Sequence, residues 1–185
     1  SFKVSQFDLN RRSFLASSLA GYTASALGTT PSYGFDAKAF ERKPTEFQHA
    51  CMTLPYSGFS LDRALQGIKT AGFKFVAWGV KHLEENGKQV PVIAEDASAE
   101  TAKALAKRCR DMGLDPIMMF STIYPENPRG LEVLTQRIKQ ASAAGIGQVL
   151  TFGHTAGGNK KIWIERLKIL GPIAQDHGVM IVVKQ

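Results

Sequence analysis

The sequence is poor in cysteine, in acidic residues and in long apolar runs. Its two cysteines, Cys51 and Cys109, form no CxxC pair and no zinc-type spacing, which excludes a zinc ribbon and a disulfide-framed mini-protein. No stretch approaches the roughly 20 apolar residues that a transmembrane helix needs. The loop after the first apolar strand reads Pro55-Tyr56-Ser57-Gly58-Phe59 and lacks the G-x-G-x-x-G of a dinucleotide fold. Acidic residues number 16 against 23 Lys and Arg, for a net charge of +7. The basic residues lie mostly on predicted helices and no DNA or RNA motif accompanies them. The excess therefore reads as solvated helix faces, and no nucleic-acid partner is expected. What is present is ordinary: 185 residues, 44% hydrophobic and 21% charged. That composition excludes a largely disordered chain and allows one sizeable domain with a core.

From Phe47 onward one pattern recurs. A helical stretch ends at glycine and a short apolar strand follows, at Ala71-Gly72-Phe73, Met112-Gly113-Leu114, Ala144-Gly145-Ile146 and His177-Gly178-Val179. A glycine just past a helix supplies the left-handed cap that side chains resist. The spacing, roughly thirty to forty residues, is that of one βα unit. Strands are predicted over about 48–54, 73–79, 115–121, 148–153 and 179–184, and helices over about 60–71, 98–112, 129–144 and 160–177. Near-continuous apolar runs such as Pro116-Ile117-Met118-Met119-Phe120 suit parallel strands buried on both faces. In the third helix Leu131, Leu134, Ile138 and Ala141 form one buried face. Ser60 and Ser98 are candidate N-caps. Two α/β architectures fit: a doubly wound open sheet, or the first five strands of a (β/α)8 TIM barrel. The missing fingerprint disfavours the first. Only Lys184 and Gln185 follow the apolar run Val179-Met180-Ile181-Val182-Val183, which reads as a barrel truncated after strand five. Such a piece would expose an unpaired strand edge and dissolve poorly in isolation.

The N-terminal segment has a different character. Asn10-Arg11-Arg12-Ser13-Phe14-Leu15 resembles the twin-arginine translocation signal, and a modestly apolar stretch from Phe14 to Leu27 follows it. That stretch is too short for a stable membrane anchor, and Ala24-Ser25-Ala26 fits a small-x-small cleavage site. Tyr22 stands where a lipoprotein box would carry Cys. The expected organisation is a signal peptide over 1–26, a linker over 27–46 and the barrel over 47–185. The resemblance implies the twin-arginine translocase as a partner during export and a periplasmic or secreted location.

Three stretches resemble the sugar phosphate isomerase/epimerase group, the xylose-isomerase-like TIM barrels. They are Leu61-Asp62-Arg63-Ala64-Leu65 with Ile68-Lys69-Thr70-Ala71-Gly72-Phe73-Lys74-Phe75-Val76, then Arg110-Asp111-Met112-Gly113-Leu114, then Leu170-Gly171-Pro172-Ile173-Ala174-Gln175-Asp176-His177-Gly178-Val179. The resemblance implies isomerisation or epimerisation of a sugar or polyol by proton transfer next to a carbonyl. It also implies a divalent metal, Mn, Mg or Zn, polarising the oxygens. The sequence departs from the family at two points. Strand two ends Ala77-Trp78-Gly79 rather than in a polar residue, and Lys184 stands where strand five would deliver a metal-ligand Glu. The metal ligands therefore stay unknown. The departure keeps two alternatives open: a non-catalytic carbohydrate-binding barrel, and a sugar lyase or oxidative enzyme on the same scaffold.

In parallel βα folds the active groups sit at the C-terminal ends of strands. That rule selects Thr53, Trp78, Lys81, His82, Ser121, Thr122, His154, Lys184 and Gln185. His154 follows Leu150-Thr151-Phe152-Gly153 and is the candidate for proton transfer, with a backbone-bonded loop histidine as the plain alternative. Lys184 is a second catalytic candidate, as a Schiff-base or proton-transfer lysine, or else one half of an ion pair. Trp78 could stack on a sugar face or pack in the core. His82, Thr122 and Gln185 are candidate substrate contacts. His82 lies in a connection, 80–97, that shows no clear structure in the sequence and has the length of a lid. Glu84, Glu85, Glu95 and Asp96 read as solvated surface, and Tyr124-Pro125-Glu126-Asn127-Pro128 as a rigid loop. Finally, Gly153-His154-Thr155-Ala156-Gly157-Gly158-Asn159-Lys160 opens a helix but fails the P-loop order. It remains a candidate for a weaker anion site.

Overall fold

The computed structural model describes residues 47–184; the predicted signal peptide, the linker up to residue 46 and Gln185 lie outside them. Five strands form a parallel sheet: β1 (Ala50–Met52), β2 (Phe75–Trp78), β5 (Asp115–Phe120), β6 (Gln148–Phe152) and β7 (Met180–Lys184), in that spatial order. Four helices connect them: α1 (Leu61–Thr70), α2 (Ala99–Asp111), α3 (Gly130–Ala144) and α4 (Lys160–Asp176). The strand order follows the chain with no reversal, so the sheet has no switch point among the described residues.

Local chemistry sets these boundaries. The Ser60 and Ser98 side chains accept from the amides of Arg63 and Thr101 and start α1 and α2. Asn159 does the same for α4 through Ile162. At the far ends, Gly72, Gly113, Gly145 and Gly178 all adopt positive φ, 87°, 83°, 66° and 65°. The left-handed turn that each helix-to-strand junction needs is thus made where a Cβ is absent.

Strand register separates the two faces of the sheet. Trp78, Met119, Val149 and Ile181 lie in one lateral row. That row packs on Leu65 and Ile68 of α1, Ala102, Ala106 and Cys109 of α2, Leu134, Ile138 and Ala141 of α3, and Leu170 and Ala174 of α4. All four helices therefore cover one face, as in a barrel wall and unlike a doubly wound sheet. Each fully buried leucine here contributes about 2 kcal/mol. The opposite, lumen-side rows run Ala77, Met118, Gln148, Met180, then Phe120, Leu150, Val182, then Phe152 and Lys184.

One element departs from the sequence reading. The connection 80–97 holds an antiparallel hairpin, β3 (Lys81–Leu83) with β4 (Gln89–Pro91). It is docked rather than free: the Leu83 amide donates to Ser57 O at 2.9 Å, and His82 is buried beneath it.

Candidate functional site

The strand ends gather at one rim, yet the predicted residues are not all available there. Thr53 is fully buried, and its hydroxyl accepts from the Gly79 amide at 2.9 Å, tying the end of β1 to that of β2. Trp78 is fully buried on the helix side, with Cys109 beside it. Burial pushes the Cys109 thiol up, and the neighbouring Trp78 N–H offsets this only in part. The indole offers no face to a sugar, so the core-packing alternative describes it. His82 is 1% exposed; its Nδ1 lies 2.9 Å from Phe59 O, and Nε2 is buried without a partner among the described residues. It joins the hairpin to the 57–60 turn. Ser121 is buried, whereas Lys81, Thr122 and Lys184 are exposed at the rim. Lys184 is the register neighbour of Phe152 on the lumen side. Gln185 lies outside the described residues.

His154 has the most built surroundings. It projects from the loop after β6, its side chain 32% exposed, with Nδ1 3.5 Å from Glu126 Oε1. Glu126 comes from the loop after β5 and is only 9% exposed. Its Oε1 accepts from the Thr155 amide at 2.8 Å and from the Thr155 hydroxyl. Its Oε2 is buried with no partner among the described residues. A Cβ on Gly158 would fall 2.6 Å from Oε1, so the absence of a side chain there makes room for the carboxylate. The candidate anion-binding loop thus holds an anion already, the chain's own Glu126. On either side of Glu126, the carbonyls of Pro125 and Asn127 accept from Arg166 Nη1 of α4, the first at 2.7 Å. Tyr124 stacks on Phe152 at 4.6 Å, and Phe120 meets Phe152 edge-on at 5.4 Å, forming an aromatic patch at the same rim. Glu126 and Arg166 escaped the strand-end rule because they lie well past a strand end, on a loop and on the following helix, and Thr155 entered only as part of the candidate anion loop.

Burial raises the Glu126 carboxyl, but the Thr155 hydroxyl and amide, with the His154 imidazole, outweigh it and hold the group below the usual carboxylate range. A carboxyl depressed by folding stabilises above its unfolded value, and that contribution is lost as pH falls through the folded one. Thermal scans from about pH 7 down to about pH 3 are expected to show a destabilisation that Glu126→Gln reduces. Identical acid limbs in the two proteins would contradict this assignment.

The described residues do not by themselves assemble the divalent-metal site that the family resemblance implies. Among the described residues no three His, Cys, Asp or Glu side chains converge, and the end of β7 carries Lys184. An ammonium repels a divalent cation. No helix among the described residues is long and apolar enough to cross a membrane.

Neither a known family pattern nor a curated protein matches the sequence. Solved structures do. A xylose isomerase domain protein from Planctomyces limnophilus aligns at TM-score 0.51 and 13% identity, over 75% of this chain and 53% of its own. A sugar phosphate isomerase/epimerase from Parabacteroides distasonis aligns at 0.50 and 15%, over 77% and 57%. The IolI protein, solved with a zinc atom bound, aligns at 0.53 and 13%, over 74% and 51%. The chain therefore spans about half the length of these structures. At such identities the likeness speaks to architecture alone: residues 47–184 have the α/β fold of a xylose-isomerase-like TIM barrel, with five of its parallel strands.

Proposed function

We propose that this chain contributes to a sugar-processing site that moves a proton next to a carbonyl, as an isomerase or epimerase does. The observation that carries the reading is His154: an imidazole at the C-terminal rim, partly exposed, with a buried carboxylate on its Nδ1 side. Its Nε2 takes the proton from the carbon beside the carbonyl and returns it to the neighbouring carbon or the opposite face. Lys184, on the lumen row beside Phe152, answers the negative charge that develops on the oxygen. The aromatic patch of Phe152 and Tyr124 takes the apolar face of a sugar or polyol. No step passes through a metal.

The export reading belongs to the same proposal. The Asn10–Leu15 stretch directs a folded protein through the twin-arginine translocase to the periplasm or beyond. A non-catalytic carbohydrate-binding barrel is the second reading, favoured by Lys184 at the position where the resemblance implies a metal-ligand Glu.

The test is solvent deuterium exchange into a panel of aldoses, ketoses and polyol-derived ketones, using protein purified from its native compartment. Exchange into at least one sugar is expected, falling about 100-fold or more in His154→Gln. Exchange that survives this substitution would remove His154 from the chemistry. Binding of a sugar with no exchange at all would favour the second reading.

A further inference from the structure

We propose that Glu126 is a positioning residue for His154, fixing the proton on Nδ1 and leaving Nε2 as a free acceptor at the barrel mouth. This rests on the reading of His154 as the proton-transfer group, and it extends that reading to a residue from another loop.

The argument starts from the cost of burying a carboxylate. A 9% exposed carboxylate must find donors nearby. Glu126 finds two on Thr155, the amide and the hydroxyl, both directed at Oε1. Those bonds hold one oxygen in place. The loop around it is held separately, by Arg166 on the carbonyls of Pro125 and Asn127. Gly158 leaves the space that the carboxylate fills. Position and charge are thus fixed before His154 enters. The Nδ1 atom of His154 then lies 3.5 Å from this fixed negative oxygen. Contacts of this kind are often long in ligand-free proteins and shorten when substrate closes the site. A neutral imidazole carries one ring proton, and the nitrogen beside a carboxylate is the one that keeps it. An unconstrained imidazole prefers the proton on Nε2, which would leave no lone pair facing the mouth. Glu126 reverses that preference.

The arrangement also separates positioning from structure. Thr155 touches Glu126 and supports the loop, while Glu126 alone brings a charge to Nδ1. Glu126→Gln keeps an acceptor for Thr155 and removes the charge. Thr155→Val removes the hydroxyl bond and leaves the charge.

The deciding experiment is long-range proton–nitrogen NMR on the ligand-free full chain, labelled at histidine nitrogen and held above the imidazole titration range. Wild type and Thr155→Val are expected to show His154 mainly as the Nδ1–H tautomer, and Glu126→Gln mainly as the Nε2–H tautomer. Should Glu126→Gln fail to fold, Gly158→Ala, whose Cβ would displace Oε1, is expected to give the same switch. Nε2–H as the major wild-type form, or an unchanged tautomer in the variant, would overturn the proposal. The readout needs no substrate, so it stands or falls independently of the reaction. With a substrate found, Glu126→Gln is expected to lower kcat while leaving KM within about 2-fold, the signature of an interaction made in the transition state.

Discussion

Replacing Gly130 with alanine is expected to destabilise the chain by about 1–3 kcal/mol, a fall of roughly 4–10 °C in thermal midpoint. Gly130 opens α3, and the reason it must lack a side chain is geometric. A Cβ would stand 2.5 Å from Pro125 O and 2.6 Å from Tyr124 O. These are backbone atoms that cannot rotate away. The Gly130 amide meanwhile donates to Asn127 O at 2.7 Å, and the Asn127 amide to Tyr124 O at 3.0 Å, closing a tight turn. Arg166 pins the same carbonyl of Pro125. A methyl group would therefore push away the loop that carries Glu126, and the damage would reach His154. Gly147 serves as the control, because a Cβ there meets nothing within 4 Å. Scanning calorimetry of the two alanine variants decides the point: equal midpoints would show that the loop yields without strain.

The same residues show how far the sequence could be read. The βα units were legible because each junction needs a left-handed residue and glycine stands at every one. The hairpin was not, because Lys81-His82-Leu83 and Gln89-Val90-Pro91 are too short and too polar for a hydrophobic period. Its signal lay in the turn: Gly87, at φ 75°, takes the left-handed position that closes a three-residue hairpin loop between Glu84 and Lys88. The strand-end rule placed His154 at the rim. It says which end of a strand matters and not which face, so it could not tell that Trp78 turns toward α2. Both faces of β2 are apolar, and alternation is unreadable there. Glu126 was hidden for another reason. Its partner stands 29 residues away on the next unit's loop, and no local pattern links two loops that meet only after the sheet forms.

The hairpin is secured by a second interaction that no periodicity could announce, and its removal should be as costly as the strain at Gly130. Arg137 on α3 is 6% exposed, and Gln140 one turn further is fully buried. Arg137 Nη1 donates to Ile93 O at 2.9 Å and to Gln140 Oε1 at 2.8 Å. Gln140 Nε2 donates to Ala94 O at 3.0 Å and to Ala97 O at 2.9 Å. The helix thereby clasps the backbone that runs from β4 to α2, just where the Val92 amide reaches Val80 O beyond the end of β2. Burial lowers the Arg137 guanidinium, and the Glu95 charge opposes this only in part. Swapping a buried charge for a hydrophobe can be neutral when both partners are replaced together. Here the carbonyls stay behind, and Ile93 O loses its Arg137 donor, so the sign is set by an unsatisfied acceptor. Arg137→Met, which keeps much of the volume, is expected to cost about 1–3 kcal/mol. Arg137→Ala adds a cavity and is expected to cost about 3–5 kcal/mol. Hydrogen exchange should rise at residues 92–97 in both variants and remain unchanged in β6. If Arg137→Met were as stable as wild type, with those amides still protected, the clasp would be a consequence of packing rather than its cause. If protection falls there alone, then α3 holds both sides of the rim: Gly130 sets the loop that carries Glu126, and Arg137 holds the strap that follows β4.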